Sequence, residues 1–152
     1  MGSSQVDWEN PEVEEEWVSQ QRQVLEAYLH LQGLKHGAIG EWPAWHVAPY
    51  AAVWAIESLA KPGWIGWWGI SGDLPTDYIS SSVVQPPQHP REALRAFGQN
   101  WRAFVQAGRA GRNQDDMTIG NSYSFDEAAP MLEARAALLL KWAEDDSLWD
   151  ED

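Results

Sequence analysis

The sequence predicts an α+β fold. The expected architecture is a small antiparallel sheet, a hairpin or three-stranded meander, packed against about three helices in the order α-β-β-(β)-α-α. Three observations carry this expectation. One early segment and two late ones repeat apolar residues at helical spacing. Two apolar, β-rich runs face each other across Lys61-Pro62-Gly63. The apolar share is 44 % of 152 residues, enough for one core at a length that buries roughly two thirds of the unfolded surface. A single domain spanning residues 1–152 is therefore expected, with helices on one side of the sheet.

The first helix is expected over 11–32. Asn10 is a good N-cap, Pro11 suits the first helical position and the glutamates behind it favour the positive end of the helix dipole. Trp17, Val24, Tyr28 and Leu31 recur at helical spacing, Leu25 widens that face, and Gly33 stops the helix. Residues 33–43 hold Gly33, Gly37, Gly40 and Pro43 and read as a loop. Residues 50–57 are apolar almost throughout, the pattern of a strand covered on both faces. Residues 64–71 are the return strand, where Gly66 and Gly69 mark a bulge or a close backbone approach. A tight turn over 72–77 leads to a short third strand over 78–84. Beyond Pro86, Pro87 and Pro90, a helix over 90–108 shows Leu94, Phe97, Trp101, Phe104 and Val105 on one face. A polar loop over 108–116 and the capping box Ser124–Glu127 introduce the last helix, about 125–145, with Leu132, Arg135, Ala136, Leu139 and Leu140.

The formal net charge is −13, and it is unevenly placed. Residues 1–16 and 144–152 carry six acids each and no base; the stretch between them is nearly neutral. So acidic a chain lacks the basic field that nucleic acid demands, so nucleic acid is excluded as a partner. There is no cysteine, which removes disulfides, thiol nucleophiles and Cys-ligated metal. No run of about 18 apolar residues suggests a membrane span. The first residues have neither a basic nor an apolar signal region, which sets a cytoplasmic expectation. The acidic ends are either solvating tails or a clamp for a basic protein, and Trp149 inside the second run gives it an aromatic anchor or a residue that docks back on the body.

Three groups of side chains are candidates for function. Ser71, Asp73, Thr76, Asp77 and Tyr78 form the densest polar cluster, at the end of a strand. Its carboxylates suit acid–base or metal work, and its residue types equally suit a turn. Arg91, Arg95, Arg102, Arg109 and Arg112 hold half of all positive charge, and the first four nearly share one helix face. That stripe binds an anionic group, faces solvent, or receives an acidic terminus. Trp54, Trp67, Trp101 and Trp142 sit at core positions, whereas Trp42, Trp45, Trp64 and Trp68 gather near the hairpin as a pocket wall, a binding face or packing. The histidines at 30, 36, 46 and 89 have no ligand spacing. Nucleophile-elbow, dinucleotide and phosphate-loop motifs are missing, so no metal and no cofactor is expected.

The runs Pro49-Tyr50-Ala-Ala-Val-Trp54-Ala-Ile56, Ile70-Ser-Gly-Asp-Leu-Pro-Thr-Asp-Tyr-Ile79, Arg91-Glu-Ala-Leu-Arg-Ala-Phe97 and Leu148-Trp149 resemble a small bacterial family known as a domain of unknown function. The resemblance spans about Trp17 to Trp149, with departures in length over 85–90 and 108–123. It implies a bacterial cytoplasmic protein, brings no catalytic residues, and draws attention to the 72–77 turn.

Three roles compete. A non-catalytic acidic binding module, immunity- or inhibitor-like, covers a basic partner. A small-molecule binder or enzyme uses Asp73 and Asp77, which requires their side chains to converge. A structural subunit pairs its hairpin edge across a homo-oligomer. Trimming both acidic ends is expected to abolish steered binding while leaving the fold intact.

Overall fold

The computed structural model describes residues 7–84, 89–109 and 125–149. The chain runs through α1 (Pro11–Gln32), β1 (Trp45–Val47), β2 (Ala51–Glu57), β3 (Ile65–Gly72), β4 (Asp77–Ser80), α2 (Pro90–Arg109) and α3 (Phe125–Glu144), with short 3-10 turns at Ser81–Val83 and Asp146–Leu148. The strands form one antiparallel sheet in the order β1-β2-β3-β4. The expected α+β fold is present, with one more strand than anticipated.

Helices cover both faces of this sheet, which corrects the one-sided arrangement. Alternation along β2 shows why. Ala52, Trp54 and Ile56 point to a core with Trp17, Val18, Leu25 and Leu29 of α1, and Val53 points to a larger core with Leu94, Phe97 and Trp101 of α2 and Leu132 and Leu139 of α3. A strand apolar at successive positions has no solvent face. On β3, Trp68 and Ile70 join the α2–α3 side, while Trp67 packs on the α1 side.

The α1 interface turns on one glycine. A Cβ on Gly69 would lie 2.7 Å from Leu25 Cδ2 and 3.3 Å from Ile56 Cδ1, so only a bare backbone lets the helix seat its leucines here. Seating them fixes which stripe of α1 is buried. Trp17, Val18, Leu25 and Leu29 are buried, while Val24 is 45 % and Leu31 81 % exposed, a rotation from the expected face. Asn10 caps the helix by accepting the Glu12 amide at 2.9 Å, and Gly33 ends it in the left-handed conformation. The expected bulge is also present: the register slips between Ile56 and Glu57, which pair with Trp67 and Ile65 and leave Gly66 extra.

Two strands differ from expectation. β1 lies where no element was foreseen, held by Trp45, His46 and Val47 pairing with Val53, Ala52 and Ala51. β4 ends at Ser80 because the Ser80 hydroxyl accepts the Ser82 amide at 3.2 Å, a local bond that replaces the ladder. The polar loop from 110 and Ser124 of the capping box lie outside the described residues.

Candidate functional site

The segment from Ser71 to Tyr78 is the joint at which all three helices are tied to the sheet. Ser71 is fully buried; its hydroxyl accepts the Trp54 indole N–H at 3.1 Å and donates to the Gln21 carbonyl of α1 at 3.4 Å. Asp73 reaches α3, its carbonyl oxygen accepting from Arg135 Nε at 2.7 Å and its carboxylate pairing with the same guanidinium at 3.3 Å. Asp77 reaches α2, accepting the Trp101 indole N–H at 2.9 Å and the Tyr78 amide at 2.8 Å. Burial pushes the Asp77 carboxyl above its usual range, and the two donors pull it part of the way back. Tyr78 packs edge-on to Trp67 and Tyr28 in the α1-side core, and Thr76 is half-buried.

Asp73 and Asp77 are thus each held by a different helix, Asp73 by Arg135 of α3 and Asp77 by Trp101 of α2. Among the described residues no group of three or more His, Asp or Glu side chains is placed to hold a metal ion. Ser71→Ala is expected to cost about 2 kcal/mol in urea unfolding, because it strands the buried Trp54 N–H without an acceptor. A loss under 0.5 kcal/mol would show that this hydroxyl ties nothing.

Two arginines of the stripe, Arg91 and Arg95, engage Asp146 and Glu144 of the acidic C-terminal run. Arg91 donates to the Ala143 carbonyl at 2.6 Å and pairs with Asp146 at 2.5 Å. Arg95 pairs with Glu92, donates to the same carbonyl at 3.3 Å and lies 3.5 Å from Glu144. The bond to Glu92 is the main cause that holds the Arg95 guanidinium above its ordinary range. Arg102 is exposed beside Glu133 at a recess of about 230 Å³; the Arg109 side chain and Arg112 lie outside the described residues.

The tryptophans divide. Trp68 is 1 % exposed and lies in the α2–α3 core, so it presents nothing to a partner. Trp45 stacks on Trp149 at 4.9 Å and meets Trp142 at 5.7 Å. Trp64 is exposed at the hairpin end, with Lys61 Nζ 4.9 Å from its ring centroid. Trp42 is 48 % exposed and meets His46 edge-to-face at 5.4 Å. His46 in turn stacks on Trp17 and bonds the Glu14 carboxylate at 2.7 Å.

Beside Trp42 lies a groove of about 500 Å³, lined by Glu15, Val18, Ser19 and Arg22 of α1 and by Glu41 and Trp42 of the following loop. The four helix residues are spaced i, i+3, i+4, i+7, one stripe along α1 next to its buried face. The Arg22 guanidinium does not lie free in it. Its Nε donates to the Gly40 carbonyl at 2.9 Å and its Nη2 to the Ile39 carbonyl at 2.8 Å, which clamps the loop to the helix. Glu15 and Glu41 are exposed and have no counter-ion among the described residues. Sequence reasoning named Trp42 and held Glu15 within the acidic first run but missed Ser19, Arg22 and Glu41; the available signal was the i, i+3, i+4, i+7 stripe with a Pro-flanked tryptophan after the helix.

Fold and groove together define a layered α+β protein, one helix over one face of a four-stranded sheet and two over the other, with an acidic recess edged by an indole. Residues 12–149 match the model of a family described as a domain of unknown function, DUF4826, and the chain belongs to that family. Comparison with curated proteins and with solved structures found no match. Among the described residues no helix is long and apolar enough to cross a membrane.

Proposed function

We propose that this protein is a non-catalytic binding module, immunity- or inhibitor-like, that covers a basic surface of a partner protein in the bacterial cytoplasm with the outer face of α1 and the Trp42 loop. One observation carries the reading. Glu9, Glu12, Glu15, Glu16 and Glu41 are all exposed there beside a half-exposed indole, and the nearest guanidinium, Arg22, is engaged by backbone carbonyls. Unpaired acids of one sign steer a basic partner and speed its association, and an exposed aromatic supplies contact area that charge alone does not. Asp146 and Glu144 serve differently, since Arg91 and Arg95 engage them.

The test uses the full chain immobilised alongside a Glu12→Gln, Glu15→Gln, Glu16→Gln, Glu41→Gln variant. The full chain should retain a basic protein whose association rate falls at least ten-fold between about 20 and 200 mM salt. The variant should lose most of that rate. A partner that is acidic, or one bound equally well by the variant, would overturn the proposal.

A further inference from the structure

We propose that the groove between α1 and the Trp42 loop is a receptor for one arginine side chain of the basic partner. This rests on the binding reading above and names the group it would recognise. The groove is built for a planar cation on an apolar stem. Val18 closes the floor of the groove, and Trp42 leaves about half its area uncovered. Glu15 and Glu41 place carboxylates on the α1 and loop sides. A guanidinium stacks on an indole and offers a carboxylate two parallel N–H donors, which an ammonium does not. With two carboxylates against one guanidinium the recess remains net negative, and Arg22 is held by the Ile39 and Gly40 carbonyls.

The same bonds pre-form the site. Arg22 pins residues 39–40 to α1, and His46, anchored by Glu14 at 2.7 Å, braces the Trp42 ring at 5.4 Å. A recess already shaped costs little ordering when filled. The other large recess, about 380 Å³ beside Trp45 and Trp149, lacks such free groups. His89 Nδ1 already accepts the Arg91 amide at 3.1 Å, and the Arg91 side chain is bonded to Ala143 and Asp146.

The experiment titrates the ¹⁵N-labelled full chain with a blocked pentaarginine peptide and, as a charge-matched control, pentalysine. The indole N–H resonance of Trp42, assigned by its loss in Trp42→Phe, should move saturably with pentaarginine and several-fold less with pentalysine. Trp42→Ala should weaken pentaarginine binding about ten-fold. Glu15→Gln with Glu41→Gln should do the same without moving the thermal midpoint, because both carboxylates are exposed. Equal response to both peptides, or an undiminished affinity in both variants, overturns the arginine receptor while leaving the acidic binding face standing. No binding of either peptide at low salt overturns both.

Discussion

Trp101→Phe is expected to cost about 3 kcal/mol at pH 7 and clearly less near pH 3.5. Trp101 is fully buried and its indole N–H is bonded to the inward-turned carboxylate of Asp77. Phenylalanine removes part of the ring volume, worth about 1 kcal/mol in a packed core. It also strips a buried acceptor of a donor, worth about 1.5–3 kcal/mol when the acceptor is charged. The second part depends on pH. Burial raises the folded-state pKa of Asp77 above its unfolded value of 3.8, and the Trp101 bond is the strongest influence in the opposite direction. With the folded value above the unfolded one, the native state holds more protons from about pH 3.8 upward, so stability falls as pH rises through that window. Without the indole the folded value climbs further, and the fall becomes larger. Below the unfolded value Asp77 is neutral in both states, and the loss shrinks to packing plus a weaker hydrogen bond to a neutral acceptor. Urea unfolding of wild type and variant at the two pH values gives the difference directly, and every other carboxylate cancels in it. An equal loss at both would mean that Trp101 does not serve a charged Asp77.

The same pair shows what the sequence could and could not convey. The helical face Leu94, Phe97, Trp101, Phe104, Val105 announced α2, and Leu132, Ala136 and Leu139 announced α3, because each stripe repeats within one element. The consecutive apolar residues of β2 likewise announced a strand covered on both faces, which was the better guide to the layers than the assumption of helices on one side. α1 was harder. Trp17, Val18, Val24, Leu25, Tyr28, Leu29 and Leu31 outline two overlapping stripes, and which one is buried is decided from outside, by the space Gly69 leaves for Leu25. β1 was illegible because three residues between Pro43 and Pro49 carry no period; they are extended only because β2 pairs with them. The 71–78 run was conspicuous for its polar residues, yet its meaning lay in partners 17 to 62 positions away, such as Trp54, Trp101 and Arg135. The groove was hidden for the same reason. Glu15 and Trp42 share a recess only because Arg22 crosses from the helix to the carbonyls of the loop.

Trp149→Ala is expected to cost about 3 kcal/mol, and that result would change how the acidic C-terminus is viewed. As a bare sequence the run from Glu144 looks like a solvated tail. In the fold, Trp149 is 7 % exposed, lies 4.9 Å from the Trp45 ring, donates its indole N–H to the Trp142 carbonyl at 3.1 Å and has the Arg91 guanidinium 6.0 Å from its ring. A buried aromatic of this kind costs about 3–5 kcal/mol to truncate, and its place at the rim argues for the lower end. The neighbouring acids build the turn that delivers it. Asp145 accepts the Ser147 amide at 3.0 Å and hydroxyl at 2.6 Å, bonds that hold its carboxyl below the usual range. Asp146 pairs with Arg91 but is 86 % exposed, so Asp146→Asn should cost well under 1 kcal/mol. The contrast between the two variants in urea unfolding separates packing from charge. It also alters the expectation that both ends can be trimmed without harm, because a chain cut at Glu144 loses Trp149 and uncovers Trp45. Charge steering is better probed by neutralising Glu12, Glu15 and Glu16 of α1, whose side chains stand in solvent. Should Trp149→Ala leave stability within 0.5 kcal/mol of wild type, the C-terminal turn is only appended to the core, and its acids become free to share in binding a partner.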